Sequence, residues 1–255
     1  MRPFYSVYFN SRMCHMKITV NGIPLLNMEV NGQCSSRYPF NNLLLESGWA
    51  TIRYEARPLK GETRLREEAF LSCKVELYDM DSNNDPLSTM ASYEKQNDTI
   101  IPYMLHDETF KVDVPYNLIG WKQSTQLDQF KNHQLRPQVI RKYNSIISMM
   151  RNHDFSQYEN AFKEREDIIS ACYYLSEYEK QDRMNAVKEA IMNCDEIVPL
   201  SGIEMLEFAA DSRLVRLVKT DHESALRLRS YESREETTID LWLHMKHGTH
   251  ELSII

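Results

Sequence analysis

The sequence predicts an α+β chain: an antiparallel β-sandwich, then three helices, then a second antiparallel sheet. Three observations predict it. Apolar residues alternate with period two over residues 1–118, recur at three- and four-residue steps from Val139 to Cys194, and return to period two after Pro199. Alternation puts every second side chain of an extended strand on one face, whereas steps of three and four draw a stripe along a helix. The expected boundaries are a sandwich domain over 1–118, a connection over 119–136 and an α+β domain over 137–255.

In the first part, the clearest strand is Ala69–Tyr78, with Ala69, Leu71, Cys73, Val75 and Leu77 on one face and mostly polar neighbours on the other. Met16-Ile18-Val20, Ala50-Ile52-Tyr54 and Phe110-Val112-Val114 repeat the pattern with single residues omitted. Asn21-Gly22 and Asn31-Gly32 supply the left-handed conformations that tight hairpin turns need. About seven short strands with regular turns read as a sandwich or jelly roll. Residues 121–136 then turn polar and glutamine-rich (Gln123, Gln126, Gln129, Gln134), which marks the connection.

Pro137 suits a first helical position, and Val139, Ile140, Tyr143, Ile146, Ile147 and Met150 give the stripe of a helix ending near Asn152. Ser156-Gln157-Tyr158-Glu159 reads as a capping box opening a second helix, whose apolar side includes Tyr158, Ala161, Phe162, Ile168, Ile169, Cys172 and Leu175. Met184, Val187, Ile191 and Cys194 mark a third, which Pro199 stops. Strands follow at Leu206 and Phe208, at Leu226 and Leu228, from Ile239 to Met245, and at Leu252 and Ile254. One face of such a sheet needs a cover, and the three helices upstream supply it. Helices followed by an antiparallel sheet that runs to the C-terminus resemble the NTF2-like family at fold level, over about half the chain. That resemblance implies a cone-shaped pocket between helices and sheet.

Composition excludes more than it identifies. The seven glycines never lie closer than Gly22 and Gly32, so no phosphate loop, dinucleotide fingerprint or nucleophile elbow is present, and no cofactor is expected. A net charge of −7 argues against a nucleic-acid or anionic-membrane partner. No apolar run is long enough for a membrane helix, and the first ten residues do not form a signal peptide, so a cytoplasmic protein is expected. Cys14, Cys34, Cys73, Cys172 and Cys194 form an odd set without a close pair, which reads as reduced structural thiols.

Four constellations carry candidate chemistry. Asp79, Asp81 and Asp85, with Asn83 and Asn84, place several hard oxygens after a strand. The stretch Val75-Glu76-Leu77-Tyr78-Asp79-Met80-Asp81 through Asn84-Asp85 resembles a calcium loop of C2 domains. The competing reading is a turn whose Asp and Asn side chains cap their own backbone. His244, His247 and His250 recur around Gly248 and suit zinc if the hairpin brings them together, or solvated turn histidines if it does not. Trp242, between Asp240 and His244 on an expected strand from Thr238 to His244, lines a ligand cavity or anchors a protein partner, or else belongs to the core; an NTF2-like pocket would join it with Tyr174 and His244. Arg227, Arg229 and Tyr231 make a basic strip that nearby acids such as Glu232, Glu235 and Glu236 are expected to neutralise. No serine or cysteine lies in a nucleophile signature, so no catalytic residue is assigned.

The function expected is therefore a non-enzymatic protein-interaction module, in its narrower form an immunity-type protein that neutralises a bacterial toxin. The alternatives are an NTF2-like small-molecule-binding or hydrolytic domain and a calcium- or carbohydrate-binding sandwich module.

Overall fold

The computed structural model describes residues 1–82, 85–97 and 101–255. The chain divides into two compact units, Met1–Leu118 and Ile119–Ile255.

The first unit is an antiparallel β domain of six strands: β1 (Pro3–Val20), β2 (Ile23–Pro39), β3 (Gly48–Arg57), β4 (Phe70–Asp79), β5 (Ser88–Gln96) and β6 (Met104–Val112). They form one sheet of order β5-β4-β1-β3-β6, with β2 along the other side of β1. The length of β1 makes this possible. Its Pro3–Arg12 part pairs with β4, its His15–Val20 part pairs with β3, and β2 follows nearly all of it.

Between the two parts, Met13 has φ 50 and the register with β2 shifts by one residue opposite Asn31-Gly32. The parity of burial shifts with it. Tyr5, Val7, Phe9 and Ser11 face inward before the shift, and Cys14, Met16, Ile18 and Val20 after it. A one-residue slip would otherwise turn the second set to water, so the irregularity bends the strand while keeping one interior. The sheet thus curls into a near-barrel, across whose open side Tyr93 of β5 stacks on His106 of β6 with ring centroids 4.8 Å apart. Asn21-Gly22 forms the expected hairpin turn, with φ 49 and 75. Asn31-Gly32 does not: it lies inside β2, where its flexibility serves the register shift.

The second unit contains α1 (Asn132–Arg151), α2 (Phe155–Cys172) and α3 (Glu177–Asn193), then β7 (Glu196–Ile197), β8 (Met205–Ala209), β9 (Leu214–Val218), β10 (Arg227–Arg229), β11 (Glu236–Thr238), β12 (Leu243–Met245) and β13 (Leu252–Ile254). Residues 119–136, expected as a connection, lie within this unit: Ser124 bridges Lys246, and Leu127 joins the core. Helix α1 starts before Pro137, which sits inside it, and its first turn already contributes Leu135, four residues before Val139, to the core. Asp154, not Ser156, caps α2, accepting from the amide of Gln157 at 3.2 Å. The capping box occurs instead at Ser176 and Glu179, opening α3.

The single expected sheet is two, of order β11-β10-β7 and β13-β12-β9-β8. The strand expected from Thr238 to His244 is broken at 239–242, so its ends belong to different sheets. Strand β9 is buried at all five positions, Arg216 included, because the core packs on one face and an ion-pair cluster covers the other. Tyr143 of α1 ties the break down. Its hydroxyl donates to the carbonyl of Leu241 at 2.8 Å and accepts from the amide of Leu217 at 2.9 Å, and burial raises its pKa.

Two substitutions test this account. Tyr143→Phe leaves a buried amide and a buried carbonyl without partners and is expected to cost about 2–3 kcal/mol of unfolding free energy in urea titration; a loss below about 0.5 kcal/mol would refute the role given to the hydroxyl. The turn between β8 and β9 holds Ala210, Asp211 and Ser212 at φ 49, 51 and 62 without a glycine. Left-handed backbone strains a residue with a Cβ, so Ala210→Gly is expected to add about 1 kcal/mol and raise the thermal midpoint.

Candidate functional site

The acidic turn after β4 is occupied by a side chain of the protein. The carboxylate of Asp79 accepts from the amides of Asp81, at 3.1 Å, and Arg2, at 2.9 Å, which hold its pKa below the ordinary aspartate value. Asp81 takes the guanidinium of Arg2 at 2.6 Å. Asp85 is exposed, and Asn83 and Asn84 lie outside the described residues. The turn-capping reading accounts for Asp79, whose oxygens point at the protein's own donors.

The three histidines separate. Met245 pairs with Leu252, so residues 246–251 form the loop, His247 and His250 are exposed on it, and His244 is fully buried. Among the described residues no group of three potential ligands is placed to hold a metal. His244 instead meets a serine and a carboxylate: Nδ1 lies 2.7 Å from Oγ of Ser124, and Nε2 lies 3.6 Å from Oε2 of Glu164, which Lys246 also holds at 2.6 Å. Burial lowers the pKa of His244 most, with Glu164 opposing and Lys246 assisting.

A hydroxyl beside an imidazole is the start of a nucleophile–base pair. Here the amides next to it are already committed, Ser124 N to the carbonyl of Trp121 at 3.1 Å and Thr125 N to that of Met245 at 2.9 Å. Neither is left to receive an oxyanion. The cluster therefore anchors residues 121–125 to β12.

Trp242 is a core residue under Arg216, whose guanidinium lies 4.5 Å from the ring, while its indole N–H donates to Asp240 at 3.1 Å. Arg216 also holds Glu207 of β8 at 2.6 Å and Asp240 at 2.5 Å. Tyr174 follows the end of α2 with φ 56 and is half-buried. The basic strip is neutralised as expected by Glu236, which meets both Arg227 at 3.1 Å and Arg229 at 2.7 Å; Asp221 and Glu196 complete it. All five cysteines are free, and burial raises the thiol pKa of Cys14 and Cys73.

Two grooves lie among the described residues of the second unit. One, of about 370 Å³ between α2 and α3, has charged lining residues that pair with neighbours outside the lining: Lys163 and Lys180 both hold Asp167, and Glu166 lies between Arg165 and Arg183. The other, of about 420 Å³, is apolar in most of its lining: Phe130, Leu135 and Arg136 on one side, Met205, Leu206 and Phe208 of β8 on the other. Strand β8 is an edge, hydrogen-bonded only to β9. On β8 Met205 is 41% exposed and Phe208 39%, and Ile203, two residues before the strand, is 70% exposed.

An open edge offers a row of backbone donors and acceptors, and the groove offers a place for apolar side chains. Alternation marks Leu206 and Phe208 as strand residues but not as a site, because it assigns a face and says nothing of whether the strand has a second neighbour. No family model, curated protein or solved structure matches the chain.

The lowered pKa of His244 fixes a pH dependence. The unfolded chain takes up this proton below about pH 6.5, the folded chain only at lower pH. Stability from the neutral imidazole is thus complete above the unfolded value and is lost as pH falls toward the folded one. Urea midpoints of the intact chain are expected to drop between about pH 7 and pH 5, and to drop less in His244→Gln; parallel curves for the two proteins would contradict this.

Proposed function

We propose that the chain is a non-enzymatic protein-interaction module that receives an extended segment of a protein along the free edge of β8. The observation that carries this reading is the coincidence of an open strand edge, the partly exposed apolar side chains of Met205 and Phe208 and a groove of about 420 Å³ at one place. Strand addition draws affinity from main-chain hydrogen bonds and selectivity from pockets for alternate side chains, and β8 offers both. The narrower form, an immunity-type protein that occludes a bacterial toxin in the cytoplasm, is supported by the size of the chain and its acidity.

A second reading, an NTF2-like hydrolytic or small-molecule-binding domain, is favoured by one observation, the contact of Ser124 with His244 beside Glu164. The committed amides around Ser124 weigh against it.

Affinity capture with the intact chain tests the first reading. A stoichiometric protein partner is expected that Phe208→Lys loses and Tyr178→Lys, altered at an exposed site on α3, retains. A partner held equally by both variants would place the contact elsewhere, and turnover that disappears in Ser124→Ala would favour the second reading.

A further inference from the structure

We infer that the segment docking on β8 is the same strand of a second copy of this chain, paired antiparallel across a two-fold axis; the inference rests on the reading of β8 as a docking edge. Three observations lead to it.

The first is the absence of a guard. Proteins protect sheet edges with charges, prolines or very short strands. Among the described residues, β2 carries Pro24, Glu29 and Arg37; β5 carries Glu94 and Lys95; β6 carries Asp107, Glu108 and Lys111; β7 and β11 are only two and three residues long. Strand β13 is three residues long, with Leu252 and Ile254 buried. Strand β8 has one ionisable side chain, Glu207, and Arg216 already neutralises it from β9. An edge held open for a charged ligand would keep a free charge, and an edge not meant to pair would keep a deterrent.

The second is self-complementarity. An isologous contact needs a surface that fits itself. Antiparallel pairing centred on Glu207 sets Leu206 against the partner's Phe208 and Met205 against the partner's Ala209, so apolar residues meet apolar residues on both faces. Leu206 and Phe208 both line the groove, which places the partner's Phe208 at its mouth. The two copies of Glu207 lie opposite each other, and each is held by its own Arg216.

The third is charge at the rim. The groove is bordered by one anion, Asp128, and one cation, Arg136. The guanidinium of Arg136 spends its hydrogen bonds on the carbonyls of Gly202 and Glu204, and it has no carboxylate partner among the described residues. One charge of each sign on a single rim is neutral toward a charged peptide but complementary to itself, since a two-fold axis can set each Arg136 toward the partner's Asp128.

Sedimentation velocity of the intact chain over a concentration series tests the inference. A reversible monomer–dimer equilibrium is expected, with the dissociation constant raised about tenfold or more by Phe208→Lys or by Met205→Lys. Amide exchange at 205–209 is expected to slow as dimer forms. Both substituted side chains are partly exposed, so an unchanged thermal midpoint of either dilute variant separates loss of contact from loss of fold. A chain that stays monomeric throughout, or a dimer indifferent to both substitutions, overturns the inference. A monomer whose captured partner is still lost in Phe208→Lys leaves the docking edge in place with another protein's strand as its occupant. A monomer whose capture ignores Phe208→Lys removes both readings.

Discussion

The second unit depends on one buried hydroxyl. Tyr143 lies on α1, and its oxygen bridges the amide of Leu217 on β9 and the carbonyl of Leu241 in the break before β12. Both groups are buried and would otherwise carry the full penalty of an unmade hydrogen bond. By satisfying them, the tyrosine lets residues 239–242 leave the strand path. The departure matters because it sets Asp240 and Trp242 around Arg216, and Arg216 in turn holds Glu207 of β8. Glu207 meets Arg216 directly across the β8–β9 pairing, and the same guanidinium reaches Asp240 in the break.

The same economy of charge runs through the unit. Thirty basic and 37 acidic residues give the whole chain its net −7, yet the candidate constellations are largely internal pairs. Arg227 and Arg229 share Glu236, Lys163 and Lys180 share Asp167, and Glu166 sits between Arg165 and Arg183. Exposed pairs of this kind contribute little stability each. Their consequence is that these strips and grooves do not present an uncompensated cluster to a polyanion or a metal. Beside these pairs, β8 presents an open backbone edge and the partly exposed apolar side chains of Met205 and Phe208.

The fold class was legible because it depends on periodicity, which single residues report. Strands β1, β3, β4 and β6 and all three helices lie where steps of two or of three and four place them. The errors fall where a longer-range choice decides. Asn31-Gly32 has the composition of a turn, but its place opposite Met13 makes it a bulge. Ser156 and Glu159 have the spacing of a capping box, but Asp154 reaches the free amides first. The run from Ile239 to Met245 alternates like one strand, but Tyr143, almost a hundred residues upstream, divides it. The candidate site was the least legible part. The surroundings of His244 come from Ser124 and Glu164, each on a different segment, and an edge strand is defined by a neighbour that is missing.

Net charge and the local surface at β8 pull in opposite directions, and their ranges decide which controls association. Two chains of charge −7 repel at a distance, but physiological salt screens that field beyond roughly 8 Å. Backbone hydrogen bonds and apolar contacts act only when strands are closer than that. A neutral edge on an acidic protein therefore separates kinetics from affinity: repulsion slows encounter, while the paired strands hold once formed. It also limits growth. Because, among the described residues, β8 is the edge that lacks an uncompensated charge, a proline or a very short strand, each copy joins a single other across the two-fold axis. The charged strands β2, β5 and β6 oppose continuation into a filament.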